Sequence, residues 1–168
     1  MQLLVAHGND ASRRVLMRLA ESLDKGDLEV IESDDGLETL ELLLGSESPA
    51  LALVDWDLPG LDGPELCRLV REYHEAGPPY IILLARSDYR LATGLEAGAN
   101  DCVHIPADGA ELRARINGGR RFAALPWEYA IESANLAARR SPQDDEGEEP
   151  SRYAACARVE LEAVLTPQ

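Results

Sequence analysis

The stretch Leu51-Ala52-Leu53-Val54-Asp55-Trp56-Asp57-Leu58-Pro59-Gly60-Leu61-Asp62-Gly63 decides how the chain folds. Its first four residues are all apolar, which suits a short strand buried on both faces and is too brief for a buried helix. The run stops on a carboxylate, Asp55, and Pro59-Gly60 then marks a turn. A helix is expected over residues 63–74. Working outward, the same strand-then-helix alternation repeats. Residues 3–6 read as a strand, with Asn9 or Asp10 capping a helix that carries Val15, Leu16, Leu19 and Leu23. Residues 28–31 form the next strand, and Ser33-Asp34 caps a helix with Leu37, Leu40, Leu43 and Leu44. Beyond the central stretch come a very apolar strand over 80–84, a helix over 89–97, a short strand at 102–103 and a helix over 108–117.

Five such units in a row, with strands apolar on both faces, predict an α/β domain built on a doubly wound five-stranded parallel sheet. Sheets of this kind place their ligand site beyond the carboxyl ends of the strands, where the strand order reverses. The residues to inspect there are His7, Gly8, Asp55, Leu84 and Ile105.

The rest of the chain reads differently. Asn117-Gly118-Gly119 is expected to weaken or end the fifth helix, since each interior glycine costs about 1 kcal/mol relative to alanine. The domain is therefore drawn over 1–124, followed by a helical extension over 125–140 with Trp127, Ala130, Ile131 and Ala134 on one face. Residues 141–151, SPQDDEGEEPS, form an acidic flexible linker without large apolar residues. A C-terminal amphipathic helix over 152–168 carries Tyr153, Ala157, Leu161 and Leu165 at i, i+4 spacing.

Composition narrows the function. Of 168 residues, 31 are acidic and 16 basic, and a formal charge of −15 argues against a nucleic-acid surface, which needs clustered positive charge. Residues 126–168 hold nine acids against four arginines, so an output DNA reader is not expected there either. No apolar run approaches the roughly 18–20 residues a membrane span needs. The start, MQLLVAHGND, lacks the pattern of an export signal, and a cytoplasmic location is expected. Cys67, Cys102 and Cys156 make no CxxC pair, so neither a disulfide framework nor a zinc site is expected, and Cys67 and Cys102 read as packing residues. His74 and His104 join no metal-like spacing.

The central stretch closely resembles the phosphoacceptor region of two-component receiver domains, in which a strand-terminal aspartate precedes a hydrophobic-Pro-Gly-hydrophobic-Asp-Gly turn. The resemblance continues through Pro79-Tyr80-Ile81-Ile82-Leu83-Leu84-Ala85-Arg86, Gly94-Leu95-Glu96-Ala97-Gly98-Ala99-Asn100-Asp101 and Pro106, and covers roughly residues 1–124. It implies a flavodoxin-like fold with a C-terminal helical extension. It also implies phosphoryl transfer from a histidine kinase to Asp55, with Mg²⁺ held by two acids after the first strand, the nucleophile and a backbone carbonyl two residues later. A lysine ending the fifth strand, a threonine or serine ending the fourth and an aromatic on the fifth complete the family's site.

This chain departs from that pattern. The acids fall on His7 and Gly8, the hydroxyl on Leu84, the lysine on Ile105 and the aromatic on Cys102, leaving Asp55 alone. The single lysine, Lys25, lies elsewhere, and with Ile105-Pro106 in the lysine's place no arginine is expected to substitute. Asp55 is expected to be hydrogen-bonded to nearby backbone, and the Asp57 side chain to face solvent. Mg²⁺ binding is expected to be weak or absent, with no cofactor and no metal.

Arg86, Arg90, Arg113 and Arg115 suggest an interaction face around the fourth helix, fifth strand and fifth helix, where receivers commonly pair or meet their outputs. The leading reading is a non-enzymatic, phosphorylation-independent pseudo-receiver that binds protein partners in a signalling pathway or a second copy of itself, without nucleic acid or membrane. Two alternatives stay open: an active phosphoacceptor with an atypical metal site, and a small-molecule sensor lined by His7, Leu84 and Ile105.

Overall fold

The computed structural model describes residues 1–23, 26–73, 79–87 and 89–124. Its elements alternate: β1 (Gln2–Ala6), α1 (Asp10–Glu21), β2 (Glu29–Ser33), α2 (Gly36–Leu44), β3 (Leu51–Asp55), α3 (Gly63–Tyr73), β4 (Tyr80–Ala85), α4 (Tyr89–Glu96), β5 (Asp101–His104) and α5 (Gly109–Ala123). All strand pairs are parallel and the order is β2-β1-β3-β4-β5. Residues 1–124 form one compact unit. The extension, linker and last helix expected over 125–168 lie outside the described residues.

The continuous apolar runs are explained by burial on both faces. Leu4, Ala52, Val54, Ile81 and Leu83 face one cluster, which Leu43 of α2 and Leu66, Cys67 and Val70 of α3 complete. The alternate residues Leu3, Val5, Leu51, Leu53, Ile82 and Leu84 face the other, with Leu16 and Ala20 of α1 and Leu112 and Ile116 of α5. Each fully buried leucine or isoleucine contributes about 1.5–3 kcal/mol, so the central strands β1, β3 and β4 anchor the domain. β2 differs: as an edge strand it leaves Glu29 and Glu32 exposed.

Helix starts follow local capping. Asn9 accepts the Ser12 N–H at 2.9 Å and caps α1. Asp35, rather than the expected Ser33-Asp34, caps α2, its Oδ1 accepting from the N–H groups of Leu37 at 2.8 Å and Glu38 at 3.2 Å. The Ser33 hydroxyl, two residues upstream of the cap, instead donates to Glu38 Oε2 at 2.6 Å.

The glycine pair does not end α5, which runs on to Ala123. The reason is tertiary packing. A Cβ at position 119 would lie 2.7 Å from Leu51 Cδ1 and 2.9 Å from Tyr80 Cδ1, so Gly119 lets the helix press directly onto the sheet. Position 118 faces open space, where the nearest atom to a Cβ is Arg121 Nη2 at 4.0 Å. The two neighbours therefore respond oppositely to substitution. Gly118→Ala is expected to raise stability by about 0.5–1 kcal/mol in urea unfolding through helix propensity. Gly119→Val is expected to lower it by about 2 kcal/mol through overpacking.

Candidate functional site

Strand order reverses between β1 and β3, and the crevice at their carboxyl ends holds His7 and Asp55. Asp55 is 2% exposed and His7 1% exposed. The turn after Asp55 is tied down by backbone bonds: Trp56 N–H donates to the Leu84 carbonyl at 3.0 Å, and Gly36 N–H to the Pro59 carbonyl at 2.8 Å. On the other side, Arg13 of α1 donates to the His7 carbonyl at 3.0 Å while pairing with Glu32 at 2.9 Å. That clasp fixes the end of β1 against β2.

His7 Nδ1 lies 3.4 Å from Asp55 Oδ2 and accepts the Asn9 N–H at 3.0 Å. A nitrogen that accepts a hydrogen bond carries no proton, so this is the neutral tautomer protonated at Nε2. Burial pushes the imidazole below its usual range. The Asp55 charge pulls it back, and Arg86 and Arg13 oppose protonation again. His7 and Asp55 are thus neighbours without being an ion pair at neutral pH.

The positive charge comes from β4. Arg86 follows that strand directly and brings Nη2 to 3.7 Å from Asp55 Oδ2, while its Nη1 donates to Asp57 Oδ2 at 3.2 Å. Arg90, on the first turn of α4, places Nη1 3.0 Å from both Asp57 oxygens, and its guanidinium carbon stacks 5.1 Å above the centre of the Trp56 ring. Two expectations change as a result. The pocket contains a cation, contributed from the end of β4 instead of β5. The expected backbone hydrogen bond to Asp55 is not made by Oδ1, which has no hydrogen-bond partner among the described residues. Arg86 and Arg90, two of the arginines of the expected interaction face, lie beside the acid pocket and hold the exposed Asp57 side chain.

The other strand-end positions are apolar or closed. Leu84 is fully buried, and Ile105 packs against the same cluster while its N–H donates to the Ala85 carbonyl at 2.8 Å. Cys102 is buried, its thiol pushed up to about 11 by burial, and burial drives Cys67 to about 12. Gly8 brings no ligand, and a Cβ there would meet Pro59 Cδ at 2.7 Å, so a side chain at this position requires the Pro59 turn to move. Of the remaining arginines, Arg115 pairs with Asp101 at 3.0 Å and Glu111 at 3.2 Å, while Arg113 is exposed on α5.

The side-chain donors here differ from the family's set for Mg²⁺. The ion needs octahedral oxygen ligation, whereas here a neutral imidazole and a glycine stand at the positions of the family's two acids, leaving Asp55 and the backbone carbonyl of residue 57 from the family's donor set. Among the described residues no group of three or more metal-ligating side chains comes together.

Residues 6–117 match the family described as response regulator receiver domain. The chain belongs to this family. Over 103 residues the receiver is 46% identical to the transcriptional regulatory protein CseB of Streptomyces coelicolor, a match covering 60% of this chain and 43% of that protein. CseB of Streptomyces avermitilis is 45% identical over the same length and coverage. The receiver chain therefore spans less than half the length of these curated relatives. A solved receiver domain of a Pseudomonas aeruginosa sensor histidine kinase, with a magnesium ion coordinated in its active-site cleft, is 26% identical with a TM-score of 0.60, covering 74% of this chain and 98% of that one. No helix among this receiver's described residues is long and apolar enough to cross a membrane.

The buried imidazole has a measurable consequence. Because the folded state holds His7 below the unfolded value of about 6.5, its contribution is fully present above that pH and is lost as pH falls through the window beneath it. Thermal melts are expected to show a steeper loss of Tm between about pH 6.5 and 5 for the native chain than for His7→Asn. Equal slopes would contradict the assignment of a buried neutral His7. The raised thiols of Cys67 and Cys102 are likewise expected to resist iodoacetamide at pH 8 until the chain is unfolded, as read by peptide mass mapping.

Proposed function

We propose that this receiver is a non-enzymatic signalling module that recognises protein partners without Mg²⁺-dependent phosphorylation of Asp55. The observation that carries this reading is the end of β1, where His7 and Gly8 stand in the two positions at which the family's acids hold the metal. Phosphoryl transfer relies on positioning and charge compensation more than on covalent help from the protein. A pocket with one carboxylate, a neutral imidazole and no hydroxyl at Leu84 offers little of the metal-assisted part of that compensation.

The partner is proposed to be a protein of a signalling pathway, in keeping with family membership. The Streptomyces relatives are named as transcriptional regulators, and more than half of their length lies outside the match. The exclusion of nucleic acid is accordingly proposed for the acidic surface of this segment alone. A cytoplasmic site of action goes with the proposal.

A second reading has its own support. Asp55 keeps the nucleophile's place, its Oδ1 is unpartnered among the described residues, and Arg86 brings a cation near it. An active phosphoacceptor of unusual construction would look like this. Intact mass after incubation with Mg²⁺ and acetyl phosphate separates the two readings. The module reading expects no phosphoryl adduct on the native chain. An adduct that disappears in Asp55→Asn would overturn it and establish Asp55 as a working acceptor.

A further inference from the structure

We infer that Arg86 is the resident counter-ion of Asp55, a tethered guanidinium that supplies positive charge to the buried acid from the end of β4. The inference rests on the metal-independent reading above and adds the residue that makes it work.

The argument begins with Asp55, whose side chain is 3% exposed. A carboxylate so far from water is expensive to keep charged unless an opposite charge lies close. His7 does not supply that charge, because its Nδ1 is committed to the Asn9 N–H and burial keeps the ring neutral. Arg86 is the one cationic side chain within ion-pair distance of Asp55 among the described residues, apart from that histidine. At 3.7 Å the contact is too long for a hydrogen bond, so it acts through charge and leaves the geometry of Asp55 open.

Orientation comes from Asp57. Its carboxylate accepts from both Arg86 and Arg90, and Arg90 is steadied in turn by the face of Trp56. The resulting chain from Asp55 through Arg86 and Asp57 to Arg90 bridges the turn after β3 to the start of α4. Pairs exposed to this degree are worth little by themselves. Their role is to hold the guanidinium over the buried acid. A divalent ion approaching Asp55 would meet the Arg86 charge at Oδ2 and would find no further carboxylate at His7 or Gly8.

A double-mutant cycle on the full 168-residue chain tests the coupling, using Arg86→Gln, Asp55→Asn and the pair, with Tm as the readout. Arg86 is half exposed and Asp55→Asn is isosteric, so all three variants are expected to fold. Asp55→Asn is expected to leave Tm unchanged or lower in the native background, yet to raise it by about 3 °C or more in the Arg86→Gln background, where the buried charge has lost its partner. Arg86→Lys, which keeps a charge, is expected to retain most of the native Tm. Manganese binding followed by electron paramagnetic resonance completes the test: the native chain is expected to leave Mn²⁺ free. Additive effects on Tm, or Mn²⁺ bound by the native chain through Asp55, would overturn the inference.

The outcomes also separate this inference from the reading it rests on. Additive Tm values with no phosphoryl adduct would remove Arg86 as counter-ion and leave the module reading standing. A phosphoryl adduct with the coupling intact would remove that reading and leave Arg86 as the charge partner of a working acceptor.

Discussion

A carboxylate shut away from water at the end of the central strand is the constraint around which the carboxyl edge of this sheet is arranged. Asp55 sits at the switch between β1 and β3, 2% exposed, with one oxygen lacking any hydrogen-bond partner among the described residues. Keeping such a group charged demands a nearby positive charge, and the two strands flanking β3 respond differently. β1 brings an imidazole that burial keeps neutral, its Nδ1 accepting the Asn9 N–H. β4 brings Arg86, and through Asp57 and Arg90 the charge is spread across the loop that opens α4. The pocket is balanced internally by side chains, which is a different electrostatic design from a cleft of several acids awaiting an ion.

The scaffold that imposes this geometry is rigid for ordinary reasons. β1, β3 and β4 are buried on both faces, and α5 lies so close to the sheet that a Cβ at position 119 would require the Leu51 and Tyr80 side chains to shift. Backbone bonds from Trp56 to Leu84 and from Gly36 to Pro59 lock the turn after Asp55 to its neighbours. With the strand ends fixed this firmly, small changes of side chain at His7, Gly8, Leu84 or Ile105 alter the chemistry of the crevice without altering its shape.

Much of this architecture is legible in the amino-acid sequence. The apolar runs mark the five strands, and placing a ligand crevice beyond their ends leads directly to His7, Gly8, Asp55, Leu84 and Ile105. What the sequence does not display are features set by tertiary contact. Gly118-Gly119 reads as a helix end in isolation, and packing against Leu51 and Tyr80 carries the helix through it. Arg86 reads as part of an outer face because it follows β4, and because Ile105 occupies the position where a cation would be sought. A long flexible side chain reaches about as far as the width of a neighbouring strand, so position along the chain does not locate its charge. The available signal is chemical: a buried acid at 55 and a second acid at 57, with two arginines four residues apart just past the next strand.

The most direct test of the central claim is a crystal structure of the native chain grown with manganese, with anomalous data collected at the manganese edge. The account predicts guanidinium density for Arg86 between Asp55 and Asp57 and no anomalous peak in the crevice. A manganese peak on Asp55, with Arg86 turned out to solvent, would contradict it.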